Sequence, residues 1–347
     1  MSLPQPPALP EYTWRPATPA DARTIWELFL ACDEADGSHR AGTLAEMERE
    51  FEDPDTDFAH DSLLALTADG QVAAMAVVYL LPSAATKVVA FLWGGVHPRH
   101  RRRGLGCFLL SWQEVRARQK MAARPEALPR FLRVSCYEHE HDRIALFRRL
   151  GFEPCRYFYQ MRRDLSLPIP EPELPTGLRL VNWSPAYDDR TLAAFNEAFA
   201  DHWGSQPQTA EQWRLFMVGR DSFRPDLSFL ALDGEEVAGF AINFLSPEDN
   251  ERQGIREAWV GDLGVRRLWR RRGVATALLC RSLQAFRAVG MDYATLGVDT
   301  ESPTGALSLY ERLGFVPVRR SIVFGKPVLT SDATDPTLAE AARPTSV

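Results

Sequence analysis

Along this chain, stretches that alternate apolar and polar residues, or run apolar between turn signals, predict strands; apolar residues spaced three and four apart predict helices. The first half reads as a strand at Tyr12–Pro16, helices at Ala20–Cys32 and Leu44–Phe51, and strands at Ser62–Thr67, Val72–Leu81 and Val88–Val96. A helix at Leu105–Ala122, a strand at Phe131–Tyr137, a helix at Arg143–Leu150 and a strand at Cys155–Met161 follow. The order then returns: a strand at Leu178–Val181, helices at Asp189–Ala200 and Ala210–Val218, and strands at Ser228–Leu232, Val237–Phe244 and Glu257–Val265. It ends with a helix at Val274–Val289, a strand at Tyr293–Val298, a helix at Gly305–Leu313 and a strand at Val316–Phe324. Asp-Gly turns fall at 69–70 and 233–234, and Leu-Gly-Phe closes the last helix of both halves.

Between the halves, Ser166–Gly177 carries four prolines, which exclude helix and central strand. The expected layout is a disordered N-terminus at 1–11, a first domain at 12–165, a linker at 166–177, a second domain at 178–326 and a disordered tail at 327–347. Hairpin-rich strands with inserted helices give a mixed α/β (α+β) class: two tandem domains, each a mixed, mainly antiparallel sheet flanked by helices.

Composition narrows the function. The 347 residues suffice for two cores, and 45% hydrophobic with 25% charged is ordinary for a globular protein. Net charge is −6, so the arginines are local features, which argues against a nucleic-acid binder. Five scattered cysteines without CxxC spacing read as reduced thiols in a cytoplasmic protein. Met1–Pro10 lacks the features of a signal peptide, and no apolar run reaches membrane-spanning length.

One pattern occurs twice. Val96-His-Pro-Arg-His-Arg101-Arg102-Arg103-Gly104-Leu105-Gly106 and Val265-Arg-Arg-Leu-Trp-Arg270-Arg271-Arg272-Gly273-Val274-Ala275 each follow a strand and open a helix, 169 residues apart. Free N–H groups at a helix start, small residues that let the backbone approach, and arginines together suit a phosphate. No metal is expected: Tyr137-Glu-His139-Glu-His141-Asp142 has ligand types but no partner set, and reads as a solvated loop. Cys280, on an apolar helix, reads as core.

These cradles, with Ala306-Leu-Ser-Leu-Tyr310-Glu-Arg-Leu-Gly-Phe315 and its counterpart Ala145-Leu-Phe147-Arg-Arg-Leu-Gly-Phe152, resemble the GCN5-related N-acetyltransferases over nearly the whole chain. The tandem layout and Phe199-Ala-Asp-His-Trp-Gly204 are similar to two-domain acetyltransferases of the mycothiol-synthase type. The resemblance implies acetyl-CoA as donor, a catalytic second domain and a catalytically degenerate first. It implies that Leu263, Gly264 and Val265 pair with the pantetheine and that Arg270, Arg271, Arg272, Gly273, Val274, Ala275 and Thr276 hold the diphosphate. It also assigns Tyr310 the protonation of the leaving thiolate.

A general base should be a carboxylate on or near the strand before the cradle, and Glu257 and Asp262 are the candidates. Strand alternation puts Glu257, Gly261 and Val265 on one face and Asp262 on the other unless a bulge intervenes, which favours Glu257. In the first half Val96, Arg101, Arg102, Arg103, Gly104, Leu105 and Gly106 keep the cradle. Glu257 and Asp262 map to Val88 and Trp93, and Tyr310 to Phe147, so the chemistry is gone. Where relatives often carry Asn before the tyrosine helix, this chain has Ser302 and Thr304. The expectation is acetyl transfer to a primary amine, of a small molecule rather than a nucleic acid or membrane. The alternative is a non-catalytic acyl-CoA-binding module. Acceptor and oligomeric state are not legible.

Overall fold

The apolar runs become central strands because helices cover both of their faces. The protein is described by a computed structural model that covers residues 2–328 other than 83, 85, 172 and 303. The described residues divide into two compact units, 2–156 with 322–328, and 157–321.

The first unit runs β1 (Thr13–Arg15), α1 (Ala22–Asp36), α2 (Leu44–Glu50), α3 (Phe58–Asp61), β2 (Ser62–Leu66), β3 (Val72–Leu80) and β4 (Val88–Val96). It continues through α4 (Leu105–Ala122), β5 (Arg130–Tyr137), α5 (His141–Arg149) and the start of β6 (Glu153–Asp164). β1 to β4 pair antiparallel in sequence order, and β4 pairs parallel with β5 only over Val88–Phe91. Ile25, Leu28, Phe29 and Cys32, at helical spacing on α1, are buried with Leu64, Met75 and Val77 of the sheet. On the α4 side Gln113, itself buried, donates to the Val77 and Trp93 carbonyls.

The second unit repeats the order: the rest of β6, then β7 (Leu178–Asn182), α6 (Asp188–Phe199), α7 (Ala210–Trp213), β8 (Phe229–Asp233), β9 (Glu236–Phe244), α8 (Pro247–Gln253) and β10 (Glu257–Val265). There follow α9 (Val274–Ala288), β11 (Tyr293–Asp299), α10 (Ala306–Arg312) and the start of β12 (Val316–Pro327). β7 to β10 pair antiparallel, β10 and β11 pair parallel over Glu257–Val260, and β11 pairs antiparallel with β6. One core lies under α9, with Leu278, Leu279, Leu283 and Phe286; the other lies under α6 and α7, with Phe195, Trp213, Phe240 and Ile242. The expected class, mixed α/β with a mainly antiparallel sheet in each tandem domain, is the one observed.

The division differs from the expected boundaries in where the last strands go. Residues 166–177 carry neither helix nor strand among those described, as their prolines require. β6 nevertheless ends in the second unit and β12 in the first. Phe324 is fully buried against Phe147, and the Lys326 ammonium meets Glu114 and the Leu150 carbonyl. In the second unit the β6 residue Arg163, 2% exposed, donates to the Leu313 carbonyl at 2.6 Å. From residue 329 onward, the expected tail lies outside the described residues.

Candidate active site

Past Val260 and Leu296 the parallel strands β10 and β11 no longer pair, and a cleft of 720 Å³ opens between them in the second unit. The cradle forms one end. After a 3-10 turn at Arg267–Trp269 the backbone goes through Arg271 at φ 61° to Gly273 at φ 86°, the N-cap of α9. Glycine suits that left-handed conformation, and a Cβ there would meet nothing, so the space beyond is open. The first helical bond runs from the Ala277 N–H to the Gly273 carbonyl. The N–H groups of Val274, Ala275 and Thr276 therefore remain free, and those residues line the cleft. This is the donor set a diphosphate needs.

The arginines divide their work. Arg270 Nε donates to the Val265 carbonyl at 3.1 Å, and its other nitrogens meet the Ala198 carbonyl and Asp201 at 3.0 and 3.1 Å. It therefore braces the loop, with its donors committed inside the protein, although it lines the cleft. Arg271 also lines the cleft and is exposed; Arg272 is exposed and does not line it. Leu263, Gly264 and Val265 form the strand wall.

A β-bulge decides the carboxylates. Val260 pairs with Asn243 and Asp262 with Ile242, leaving Gly261 as the extra residue. A Cβ at Gly261 would lie 2.2 Å from the Phe244 ring, so only glycine fits there. The extra residue turns Asp262 onto the face that carries Glu257 and Trp259, into the cleft. The unbulged alternation placed it on the opposite face.

Glu257, preferred from alternation, does not line the cleft. It is 4% exposed and accepts from Arg162 at 2.8 Å, Thr295 at 2.8 Å and the Trp259 indole at 3.1 Å. Its lone pairs serve β6, β11 and its own strand.

Asp262 and Tyr310 both line the cleft. Asp262 keeps some surface open to it, but protein surrounds the carboxylate. Burial pushes its pKa from 3.8 up to about 6, against the pull of Arg220. Tyr310 is 7% exposed, and burial with the Asp262 charge raises its phenol to about 12. A carboxyl that ionises near neutrality beside a phenol that keeps its proton can take one proton and give another.

Sequence reading missed other lining residues. Phe158 comes from β6, with no local signal, whereas Phe199, Asp201 and His202 belong to the Phe-Ala-Asp-His-Trp-Gly stretch singled out above. Ser302 and Thr304 line the cleft with their hydroxyls 2.9 Å apart.

The first-unit cradle has the same backbone, Arg102 at φ 61° and Gly104 at φ 86°. Arg101 repeats the brace, donating to the Val96 carbonyl at 3.2 Å and pairing with Asp36 at 2.6 Å. Arg102 pairs with Asp142 and Arg103 with Glu11. Around the His139 stretch, as among the described residues generally, no group of three His, Cys, Asp or Glu side chains could hold a metal. No described helix is long and apolar enough to cross a membrane.

A duplicated sheet with a helix-start cradle, and a bulged strand that brings Asp262 into one cleft with Tyr310, are the features of a tandem acyltransferase. The sequence profile of the Acetyltransferase (GNAT) family matches residues 23–152 and 189–315. The chain belongs to that family and is an N-acetyltransferase. Among its relatives, mycothiol acetyltransferase of Salinispora tropica is 37% identical over 229 residues, covering 63% of this chain and 67% of that protein. Mycothiol acetyltransferase of Thermobispora bispora is 33% identical over 226 residues, covering 63% and 70%. A GCN5-related N-acetyltransferase from Sphaerobacter thermophilus has a crystal structure matching at TM-score 0.69 and 30% identity, over 94% of this chain and 97% of that one. A tandem GNAT protein from the clavulanic acid biosynthesis pathway shares the fold at TM-score 0.68 and 20% identity, over 93% and 100%.

Proposed function

We propose that the second unit transfers the acetyl group of acetyl-CoA to the primary amine of a small molecule, with Asp262 as general base and Tyr310 as general acid. The observation that carries this is the pair itself: the two side chains share the cleft that ends at the cradle, with pKa values pushed to about 6 and about 12. The free N–H groups of Val274–Thr276, with Arg271, hold the diphosphate, and the β10 wall at Leu263 takes the pantetheine amides. Asp262 accepts the proton of the incoming ammonium. The nitrogen then bonds to the acetyl carbon, the C–S bond breaks, the Tyr310 phenol protonates the departing sulfur, and the surplus proton left on the new amide nitrogen restores the Tyr310 phenolate to the phenol. The relatives named for acetylation in mycothiol support a small-molecule acceptor.

The test is acetyl-CoA turnover against a panel of small-molecule amines, followed as free thiol, with Tyr310→Phe and Asp262→Asn alongside. Losses of roughly 10²- to 10⁴-fold in kcat with acetyl-CoA affinity retained are expected. Binding of acetyl-CoA without product from any amine would return the chain to a non-catalytic module. Undiminished turnover in both variants would place the chemistry on other residues.

A further inference from the structure

The first unit raises a question that its degenerate chemistry leaves open: whether its cradle still takes a donor. The walls of the two clefts answer differently. Just past β4 the His97 N–H donates to the Ala73 carbonyl, so by ladder alternation the carbonyls of Gly94 and Val96 point the other way, to the side where β4 and β5 have ceased to pair. The Gly94 carbonyl accepts from Arg143 of α5 at 2.8 Å. The Val96 carbonyl accepts from Arg101 at 3.2 Å and from the Cys32 thiol at 3.5 Å.

Arg143 is held where it is. Its second nitrogen meets Glu140, whose side chain is 3% exposed and is also bound by Arg40 at 2.9 Å and the Tyr137 N–H at 2.5 Å. The next turn of α5 adds Leu146, which a Cβ on Gly106 would meet at 3.4 Å, so the helix lies close over the start of α4.

The second unit lacks this plug. Aligning the two Leu-Gly-Phe endings puts Ala306 opposite Arg143, and Ala306 lines the 720 Å³ cleft. The Leu263 carbonyl, beyond the last β10–β11 pair, receives no side-chain donor among the described residues.

Resting on the donor assignment above, we propose that Arg143 is an internal ligand: its guanidinium fills the place of an acyl-CoA amide on β4, so the chain holds one donor and not two. A ligand entering the first unit has to displace a charge-assisted bond and leave Glu140 with Arg40 and the Tyr137 N–H.

Calorimetric titration of the full chain with acetyl-CoA tests this. The wild type should bind one equivalent, Arg143→Ala two, and Arg143→Ala with Gly104→Asp one again, which places the new site in the first unit. Arg143→Met, which keeps the aliphatic stem, should also bind two and serves if the alanine variant fails to fold. Two equivalents in the wild type, or one in a folded Arg143 variant, overturn the plug while leaving the donor reading intact. No binding by the wild type overturns the donor reading itself, and this inference with it.

Discussion

At the scale of single residues, two carboxylates on one strand face have opposite fates because of what surrounds them. Asp262 has a raised pKa, so between pH 3.8 and about 6 the folded state binds more protons than the unfolded. Stability therefore falls as pH rises through that window and stays lower above it. Asp262→Asn should melt higher than wild type at pH 7.5, by on the order of 1–3 kcal/mol, with the gap closing near pH 4. On the proposed mechanism kcat should rise through pH 6 as Asp262 becomes a base, with no alkaline limb from Tyr310 below about 12. A flat profile from pH 5 to 8 would remove Asp262 from the mechanism. Glu257→Gln should show the reverse balance. It leaves the Arg162 guanidinium without its buried partner, so a loss of about 3 kcal/mol in stability with a smaller fall in kcat than Asp262→Asn is expected. Denaturant melts and kinetics on the two variants separate clamp from base.

At the scale of elements, much was legible because the residues enforce it locally. The cradle was readable twice, as the strand, arginines, glycine and helix stand in one order, and Arg102/Gly104 and Arg271/Gly273 share their φ angles. The role of Arg270 was not readable, because its acceptors at Ala198 and Asp201 lie about seventy residues back. The bulge could be named only as a condition, because the Phe244 ring that keeps position 261 a glycine comes from the neighbouring strand. Gly261→Ala should therefore cost kcat about 10²-fold through a displaced Asp262, since a shift near 1 Å is enough. Unchanged kcat would mean that the bulge does not aim the base. Helix α8 was overlooked although Ser246 caps it by accepting from the Asp249 N–H and Pro247 opens it; seven residues are too few for a periodic signal.

At the scale of the whole molecule, strand membership escaped the sequence. The prolines at 166–177 mark a break in secondary structure but not the edges of the compact units, because a pairing partner is fixed by register and not by nearness along the chain. A fragment 1–165 should consequently fail to fold cooperatively, since it lacks Phe324 over Phe147 and Lys326 on Glu114. Phe324→Ala in the full chain should destabilise the first unit by about 3–5 kcal/mol, seen as an earlier transition in hydrogen exchange of α5. A stable, monodisperse fragment would contradict this. The same arrangement sets a timetable on the ribosome. The first unit's closing residues begin at 322, so its own N-terminal part, finished by 156, waits through the synthesis of the entire second unit. At about 5–20 residues per second that is roughly 10–30 s with an incomplete sheet edge, whereas most proteins finish their N-terminal domain first. The half made first is completed after the other, and it depends on residues 322–328 being translated.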